Sequence, residues 1–219
     1  MSSWEFAHST LGHHFKGVIH PQFFGNEVSP LDFISRGRGK PKPYLMSAVD
    51  LVKRLKGKTI VEVGCMRQLL THPLEEDRHL CCGDGHSTIY WGKSGLDVHS
   101  VDINEDACKI AAKGCAAMPN VRVTCGDGIE FLQKFQGTID LLYLDAWDAL
   151  KGTPYAEKHL EAYEVCKGKL SPSSIVLIDD TDIMFGGKGR MAIPAIIRDG
   201  YELLVMGRQT MLMRLAAST

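Results

Sequence analysis

A glycine-rich turn that follows a short apolar run limits the fold of this chain more than any other feature. Residues 59–65 read TIVEVGC, and residues 83–88 read GDGHST. The first stretch predicts a buried strand, because β-branched residues run directly into a glycine. Without residues 66–82 the sequence would read VEVGCGDGHST, which is typical of a glycine-rich turn between a strand and a helix. Glycine in such a turn permits positive φ angles and lets a ligand approach the backbone.

Apolar runs and amphipathic segments alternate along the rest of the chain. This alternation predicts an α/β fold: a doubly wound, mostly parallel seven-stranded sheet covered by helices on both faces, with a C-terminal antiparallel hairpin. We expect Pro194 to kink the last helix. The predicted strands are 59–63, 96–101, 121–125, 139–144, 174–178, 201–206 and 209–215, and the predicted helices are 45–55, 104–117, 127–135, 154–170 and 190–199.

The glycines and prolines divide the chain into two parts. They are frequent throughout residues 1–43, so we expect an irregular segment there. Aromatic residues recur in the same segment, which predicts an N-terminal extension or lid that packs on the domain. Residues 44–219 are then one domain, with an inserted segment at 66–82 that splits the glycine turn.

Composition excludes several kinds of partner. The net charge of −1 gives no sign of a nucleic-acid or membrane-surface partner. No apolar run approaches the roughly 18 residues that span a bilayer, and the N-terminus does not read as a signal peptide. The seven cysteines are therefore expected to stay reduced in a cytoplasmic protein.

Acidic residues follow the predicted strands at the points where those strands end. Asp102 lies about twenty residues after Gly83, the interval at which an acid meets a ribose hydroxyl in dinucleotide-type folds. Asp145 follows the fourth strand, and Asp179 and Asp180 follow the fifth. The carboxyl ends of parallel strands meet at one edge, so we expect these acids in one cleft. Asn104 and Asp127 read as helix N-caps.

The ordered set of these pieces resembles a class I S-adenosylmethionine (SAM)-dependent methyltransferase, whose fold is Rossmann-like, over residues 45–215. The resemblance rests on VEVG(C)…GDGHS, VDIN, CGDG, LDAWD and IDDTD, each after its own strand, followed by the two last strands. It implies that SAM is bound, and it assigns the cofactor contacts to Glu62, Gly64, Gly83, Asp84, Gly85, Ser87, Asp102, Ile103, Asp127, Gly128, Asp145 and Trp147.

A narrower resemblance is to the metal-dependent catechol and caffeoyl-CoA type O-methyltransferases. It implies a divalent cation on Asp145, Asp179 and Asp180. Oxygen ligands of this kind suit Mg²⁺, or else Mn²⁺ or Ca²⁺, rather than zinc. The cation would bind a substrate hydroxyl and lower its pKa. Three acids without a cation would repel one another.

The chain departs from that family at its catalytic lysine, since the corresponding position is Asp148. Lys151 and His86 are the alternative bases, and Asp145 is the third candidate catalytic residue. The expected function is O-methylation of a small hydroxylated molecule, and the resemblance leaves a homodimer open. The alternatives are a metal-independent methyltransferase acting on a sugar, carboxylate or amine, and a SAM-binding module without catalysis. A nicotinamide-dependent dehydrogenase is disfavoured by the terminal hairpin and the strand-end acids.

Overall fold

The computed structural model describes residues 3–14, 42–69, 86–183 and 187–214. Its centre is a seven-stranded sheet in the order β3-β2-β1-β4-β5-β7-β6, in which β7 alone runs antiparallel to its neighbours. The strands are β1 (Thr59–Val63), β2 (Asp97–Asp102), β3 (Val121–Cys125), β4 (Ile139–Leu144), β5 (Leu170–Ile178), β6 (Tyr201–Met206) and β7 (Thr210–Arg214). The predicted fold class is confirmed.

Seven α-helices of the described residues connect and cover the strands. They are α1 (Ser3–His14), α2 (Lys42–Arg54), α3 (Ser87–Lys93), α4 (Glu105–Gly114), α5 (Gly128–Lys134), α6 (Tyr155–Cys166) and α7 (Ala192–Arg198). The side chain of Asn104 accepts from two backbone N–H groups of α4, and that of Asp127 does the same for α5. Both predicted N-caps are therefore confirmed. Among the described helices, none is long and apolar enough to cross a bilayer.

The sheet separates two apolar cores. One core packs buried residues of α1, α2 and α3, including Tyr44 and Trp91, against one face. The other packs α5, α6 and α7, including Leu132 and Tyr163, against the opposite face. The central strands between them are largely buried, as β4 and the end of β5 show, whereas β3 at the edge of the sheet is not. A strand covered on both faces is expected to be mostly apolar, which is the pattern of β4.

Strand order reverses at β1, which lies between β2 and β4. The connections before and after this reversal leave on opposite faces of the sheet, so a crevice opens beyond the carboxyl ends of β1 and β4. The backbone extends the ladder past these ends: the N–H of Gly64 donates to Val101 O at 2.8 Å, and that of Asp145 donates to Val63 O at 2.8 Å. The loops after β1, β2 and β4 are thereby held together.

One expectation about local structure was wrong, and the position of Pro194 removes the reason for another. Residues 3–14 form α1 rather than irregular chain, and Ala7 and Leu11 are buried against the first core. A single glycine, Gly12, weakens a helix by only about 1 kcal/mol, which this burial outweighs. Pro194 is the third residue of α7, where its missing N–H has no helical partner to lose, so no kink is required. Residues 15–41 lie outside the described residues, and a lid there stays a prediction.

Candidate active site

A cleft of about 300 Å³ lies at the reversal point, beyond the carboxyl ends of β1, β2 and β4. It brings together seven of the residues predicted from the sequence to contact a cofactor. These are Gly64, Asp102, Ile103, Asp127, Gly128, Asp145 and Trp147. The remaining wall comes from their neighbours in the same loops: Val63, Cys65, Arg67, Val101, Asn104, Ala146 and Asp148.

Gly64 is required where β1 ends. Its φ is 97°, a conformation that other residues rarely adopt. A Cβ atom at this position would lie 2.7 Å from the backbone nitrogen of Ala146, closer than carbon can approach it. The glycine therefore lets the loops after β1 and β4 meet at the floor of the cleft.

Asp102 organises the adjacent wall. Its Oδ2 accepts from the N–H of Cys65 at 2.9 Å, and its Oδ1 accepts from the N–H of Asn104 at 2.8 Å. The carboxylate is thereby fixed between the first and second loops, with further lone pairs left for a ligand. Beside it, Ile103 is 72% exposed and supplies an apolar surface to the cleft.

The opposite end of the cleft is formed by Asp127, Gly128 and Trp147. Asp127 both caps α5, through Oδ1, and lines the cleft. A Cβ atom on Gly128 would lie 2.4 Å from a methyl group of Val63, so α5 begins in close contact with β1. Trp147 has a φ of 51°, and its ring packs edge-on against His159 with the ring centroids 5.2 Å apart. The indole therefore packs against His159 while it lines the cleft.

Glu62 and Ser87 were predicted as cofactor contacts; both are buried, and neither is among the residues that line the cleft. Glu62 is fully buried, and four side chains donate to its carboxylate: Ser87 at 2.6 Å, Thr88 at 2.7 Å, Ser100 at 2.5 Å and Trp91 at 2.9 Å. Burial raises the pKa of Glu62 to about 7, although the hydroxyl donors oppose the rise. Through these hydrogen bonds Glu62 joins β1 to β2 and to α3.

The other predicted residues of the turn and the candidate bases are placed less centrally. Gly83, Asp84 and Gly85 lie outside the described residues. His86 directly precedes α3, and within the described chain neither of its ring nitrogens has a hydrogen-bond partner. Lys151 is exposed in a turn and does not line the cleft. Asp148 does line it, and its Oδ2 lies 3.4 Å from a guanidinium nitrogen of Arg67.

Asp145, Asp179 and Asp180 form the predicted acidic cluster. One carboxylate oxygen of each lies within 4.8 Å of the others. The N–H of Asp179 continues the β4–β5 ladder by donating to Leu144 O at 3.0 Å. Asp180 has a φ of 50°, in the left-handed region that short acidic residues tolerate better than most. The sequence therefore identified this cluster correctly.

Two cations occupy the cluster, and the sequence analysis missed both. The ammonium of Lys188 lies 2.8 Å from Oδ1 of Asp145 and 3.5 Å from Oδ2 of Asp180. The guanidinium of Arg208 lies 3.7 Å from Oδ1 of Asp179 and 3.3 Å from Oδ1 of Asp180. The side chain of Lys188 is only 2% exposed. Three carboxylates and two cations leave a formal charge of −1.

Neutral donors complete the cluster. The amide of Gln209 donates to Asp179 Oδ1 at 2.7 Å and to the hydroxyl of Tyr143 at 3.0 Å. That hydroxyl donates in turn to Asp145 Oδ2 at 3.3 Å. Both oxygens of Asp145, both of Asp180 and one of Asp179 therefore already face protein donors.

The ionisation of the cluster follows from its charges. Burial, with Asp145 and Asp180 nearby, raises the pKa of Asp179 well above its ordinary value. Burial alone would lower the pKa of Lys188, but Asp145, Asp179 and Asp180 outweigh it and raise that pKa to about 12. Lys188 is therefore an ammonium at neutral pH.

A divalent cation does not fit this arrangement. Mg²⁺ sits about 2.1 Å from its oxygen ligands, so on Asp145 Oδ1 it could be at most about 4.9 Å from the Lys188 ammonium. At an effective dielectric constant of 20, the two cations would repel by roughly 7 kcal/mol, which offsets part of the attraction between the ion and the carboxylates. The ion would also need oxygens that Arg208 and Gln209 now engage. The predicted cluster is present, and Lys188 contacts two of its three acids, Asp145 and Asp180.

The signal that could have revealed Lys188 is local and weak. It stands between two glycines in the sequence GGKG, after the acids of β5. A Cβ atom on Gly187 would lie 1.8 Å from the carbonyl oxygen of Asp180, and the N–H of Lys188 donates to that oxygen at 3.2 Å. The glycine permits this close contact, which directs the lysine inward. A lysine in a glycine loop otherwise reads as solvent-exposed.

Comparison with known proteins gives the same fold. The structure of a methyltransferase from Podospora anserina, PaMTH1, with SAH bound, has a TM-score of 0.56 over 97% of this chain and 93% of that one, at 13% identity. The O-methyltransferase TomG from Streptomyces achromogenes, in complex with SAM, has a TM-score of 0.53 at 12% identity, with 99% and 100% covered.

NSun6 from Pyrococcus horikoshii has a TM-score of 0.53 at 12% identity, with 78% of this chain covered, and the chain spans 52% of that protein's length. No curated protein matches the sequence with significance. A family model described as a methyltransferase domain matches residues 80–181. This match, over residues 80–181, and the fold make the chain similar to class I SAM-dependent methyltransferases.

Proposed function

We propose that this protein transfers the methyl group of SAM to a hydroxyl oxygen of a small molecule bound in the cleft. The observation that carries the proposal is that Gly64, Asp102 and Asp145, from three different loops, line one cleft at the reversal point of the sheet. TomG, whose fold is similar, is an O-methyltransferase in complex with SAM.

The residues of the first two loops are suited to hold SAM. The backbone at Gly64 leaves room for close approach, and the Asp102 carboxylate keeps lone pairs for ribose hydroxyls. Ile103 and Trp147 offer apolar surfaces to an adenine ring, and Asp127 offers an oxygen at the same end. SAM supplies a methyl group that is already electrophilic, so the chain's own task is to orient it and exclude water.

The acceptor would lie on the side of β4. Asp145 is partly exposed to the cleft, with 17% of its side chain accessible, and Asp148 stands on the rim beside Trp147. Carboxylate oxygens accept hydrogen bonds from a hydroxyl group and thereby orient its oxygen toward the methyl group. As the new C–O bond forms, the bond from the methyl group to sulfur breaks, SAH leaves, and a carboxylate of this wall takes up the hydroxyl proton. A small cleft and a net charge near zero favour a small molecule over a nucleic acid.

The divalent-cation-assisted form of this reaction, expected from the narrower resemblance, would need Lys188 to leave the acidic cluster. No step of the proposed reaction is assigned to a metal for that reason. Lys151 is exposed and outside the cleft wall, so we do not assign it the role of base.

Isothermal titration calorimetry with SAM and SAH tests the cofactor side of the proposal. We expect one site in the wild type and at least a tenfold loss of affinity in Asp102→Ala. Asp106→Ala removes an exposed acid from the first turn of α4 and is the matched control, with unchanged affinity expected. Equal affinities in all three proteins would contradict the assignment of Asp102.

Transfer of a radiolabelled methyl group to a panel of phenols, sugars and hydroxylated acids tests the acceptor side. Products labelled on a hydroxyl oxygen support the proposal. Binding of SAM without any transfer would favour a SAM-binding module, and label found only on the carboxyl group of a hydroxylated acid would contradict a hydroxyl acceptor. Binding of NADH in place of SAM would contradict the methyltransferase reading altogether.

A further inference from the structure

We propose that Lys188, assisted by Arg208, permanently supplies the positive charge in the acidic cluster. The metal-dependent O-methyltransferases that this chain resembles use a divalent cation for that charge. Lys188 acts as a positioning residue for Asp145, and the acidic cluster does not take up Mg²⁺ or Mn²⁺. The consequence for catalysis, that methyl transfer proceeds without a divalent cation, rests on the proposed function. The exclusion of the ion does not rest on the proposed function, because it follows from the contacts within the acidic cluster alone.

Lys188 makes two contacts with one residue at the end of β4. Its ammonium donates to both the carbonyl oxygen and Oδ1 of Asp145, each at 2.8 Å. These two contacts fix the carboxylate relative to its own backbone. Asp145 lines the cleft, and the chain continues from it into Trp147 and Asp148, which also line the cleft. Lys188 therefore holds one wall of the cleft in place without reaching its surface.

The loop that carries Lys188 is folded onto the acidic cluster. Gly187 has a φ of 50°, and only the absence of a side chain allows it to lie against the carbonyl oxygen of Asp180. The N–H of Lys188 donates to that same oxygen. Lys188 is 1% exposed, so its side chain fills an interior position. The backbone thus anchors the ammonium from the side of β5 while its two donor contacts reach β4.

Arg208 comes from the β6–β7 connection, which is also tied to the cluster. The N–H of Thr181 donates to Arg208 O at 3.1 Å, and the hydroxyl of Thr181 donates to Gly207 O at 2.7 Å. The second cation is therefore held beside Asp179 and Asp180 by the backbone. Two fixed cations neutralise most of the charge of the three acids, which removes the repulsion that would otherwise recruit an ion.

Titration of the chelator-treated protein with MnCl₂, followed by electron paramagnetic resonance of free Mn²⁺, tests the proposal without any activity assay. We expect no stoichiometric site in the wild type below about 1 mM, far weaker than a dedicated carboxylate site. We expect Lys188→Met to gain a site that binds at least tenfold more tightly. Lys158→Met removes a surface lysine that pairs with Glu161 and is the matched control, expected to behave like the wild type.

A wild-type protein that binds one Mn²⁺ tightly, and loses it in Asp179→Asn, would overturn the proposal. A folded Lys188→Met that binds Mn²⁺ no better than the wild type would also overturn it, since Lys188 would then not be what excludes the ion. If Lys188→Met does not fold, the wild-type titration alone decides.

The proposed function is judged separately, by SAM binding and methyl transfer in the same preparations. Wild-type transfer that is unchanged by EDTA supports the role of Lys188. Transfer that EDTA abolishes and Mg²⁺ restores contradicts it while leaving the proposed function intact. Absence of SAM binding would refute the proposed function and would leave the MnCl₂ result as the test of Lys188.

Discussion

Gly64 and Ala146 approach so closely that a Cβ atom on the glycine would lie 2.7 Å from the alanine's backbone nitrogen. They belong to the loops after β1 and β4, the two strands on either side of the reversal point. The contact sets the width of the cleft floor. The N–H of Asp145, the residue before Ala146, donates to Val63 O, and this bond also holds the two loops together. A side chain at position 64 is therefore excluded both by the contact with Ala146 and by the φ of 97°.

Gly64→Ala should consequently weaken both the fold and the cleft. We expect a loss of roughly 2 kcal/mol in the free energy of unfolding, since strain at positive φ and the clash add. SAM affinity should fall at least tenfold, because the two loops must separate. Urea denaturation and calorimetry measure the two effects. Gly95→Ala is the control: its φ is 76°, but nothing lies within 4 Å of its would-be Cβ. Equal losses in both variants would show that backbone strain alone, and not the contact, matters.

The sequence predicted those parts of the site that depend on strand ends. Asp102, Asp145, Asp179 and Asp180 each lie at the end of a predicted strand, and parallel strands bring such residues to one edge regardless of what lies between them. The caps at Asn104 and Asp127 were equally readable, because an N-cap depends on residues within one turn. Local and periodic signals were sufficient for these positions.

Contacts between distant segments were not readable. Lys188 reaches Asp145 across 43 positions of sequence, and its burial depends on a loop whose course is set by one close backbone contact at Gly187. Glu62 was assigned to the cofactor because it lies beside the glycine turn. Its carboxylate instead accepts from hydroxyl donors on α3 and β2, and it does not line the cleft. Neither outcome follows from composition or spacing.

Glu62 should make the stability of the protein depend on pH. Its pKa is raised from 4.5 to about 7 in the folded chain, so between these values the native state binds more protons than the unfolded state. Stability from this group is present at low pH and is lost as pH rises through 7. From pH 5.5 to 8.5 the loss is roughly 2 kcal/mol.

Comparison of the wild type with Glu62→Gln isolates this effect. The glutamine cannot titrate, and its amide nitrogen cannot accept from the indole N–H of Trp91, so the variant should be less stable at pH 5.5. The gap between the two proteins should narrow by pH 8.5. Urea denaturation at three pH values measures it, with Glu202→Gln, at an exposed position of β6, as the control. A gap that is constant with pH would contradict the raised pKa.

Asp127 should have two separable roles. Its Oδ1 accepts from the N–H groups of Ile129 and Glu130, both at 2.9 Å, so Asp127→Ala should cost about 1 kcal/mol of stability through the lost cap. Asp127→Asn keeps a cap oxygen and should retain nearly all of that stability. If the residue also contacts SAM, both variants should bind SAM several-fold more weakly. Thermal denaturation and calorimetry distinguish the roles, and an unchanged affinity in Asp127→Asn would leave Asp127 with the cap alone.

Gly187→Ala should reproduce the effect of removing Lys188 while the lysine is still present. The added methyl group would lie 1.8 Å from the Asp180 carbonyl oxygen, so the loop must move and the hydrogen bond from the N–H of Lys188 must break. The ammonium is then drawn away from Asp145, and the acids should bind Mn²⁺ more tightly than in the wild type.

Gly152→Ala is the control for backbone strain, because the φ of Gly152 is 85° but nothing lies within 4 Å of its would-be Cβ; this variant should bind no ion. Gly187 does not line the cleft, so SAM affinity should change far less than ion affinity. A Gly187→Ala protein that folds and still excludes Mn²⁺ would mean that the ammonium keeps its place without the loop.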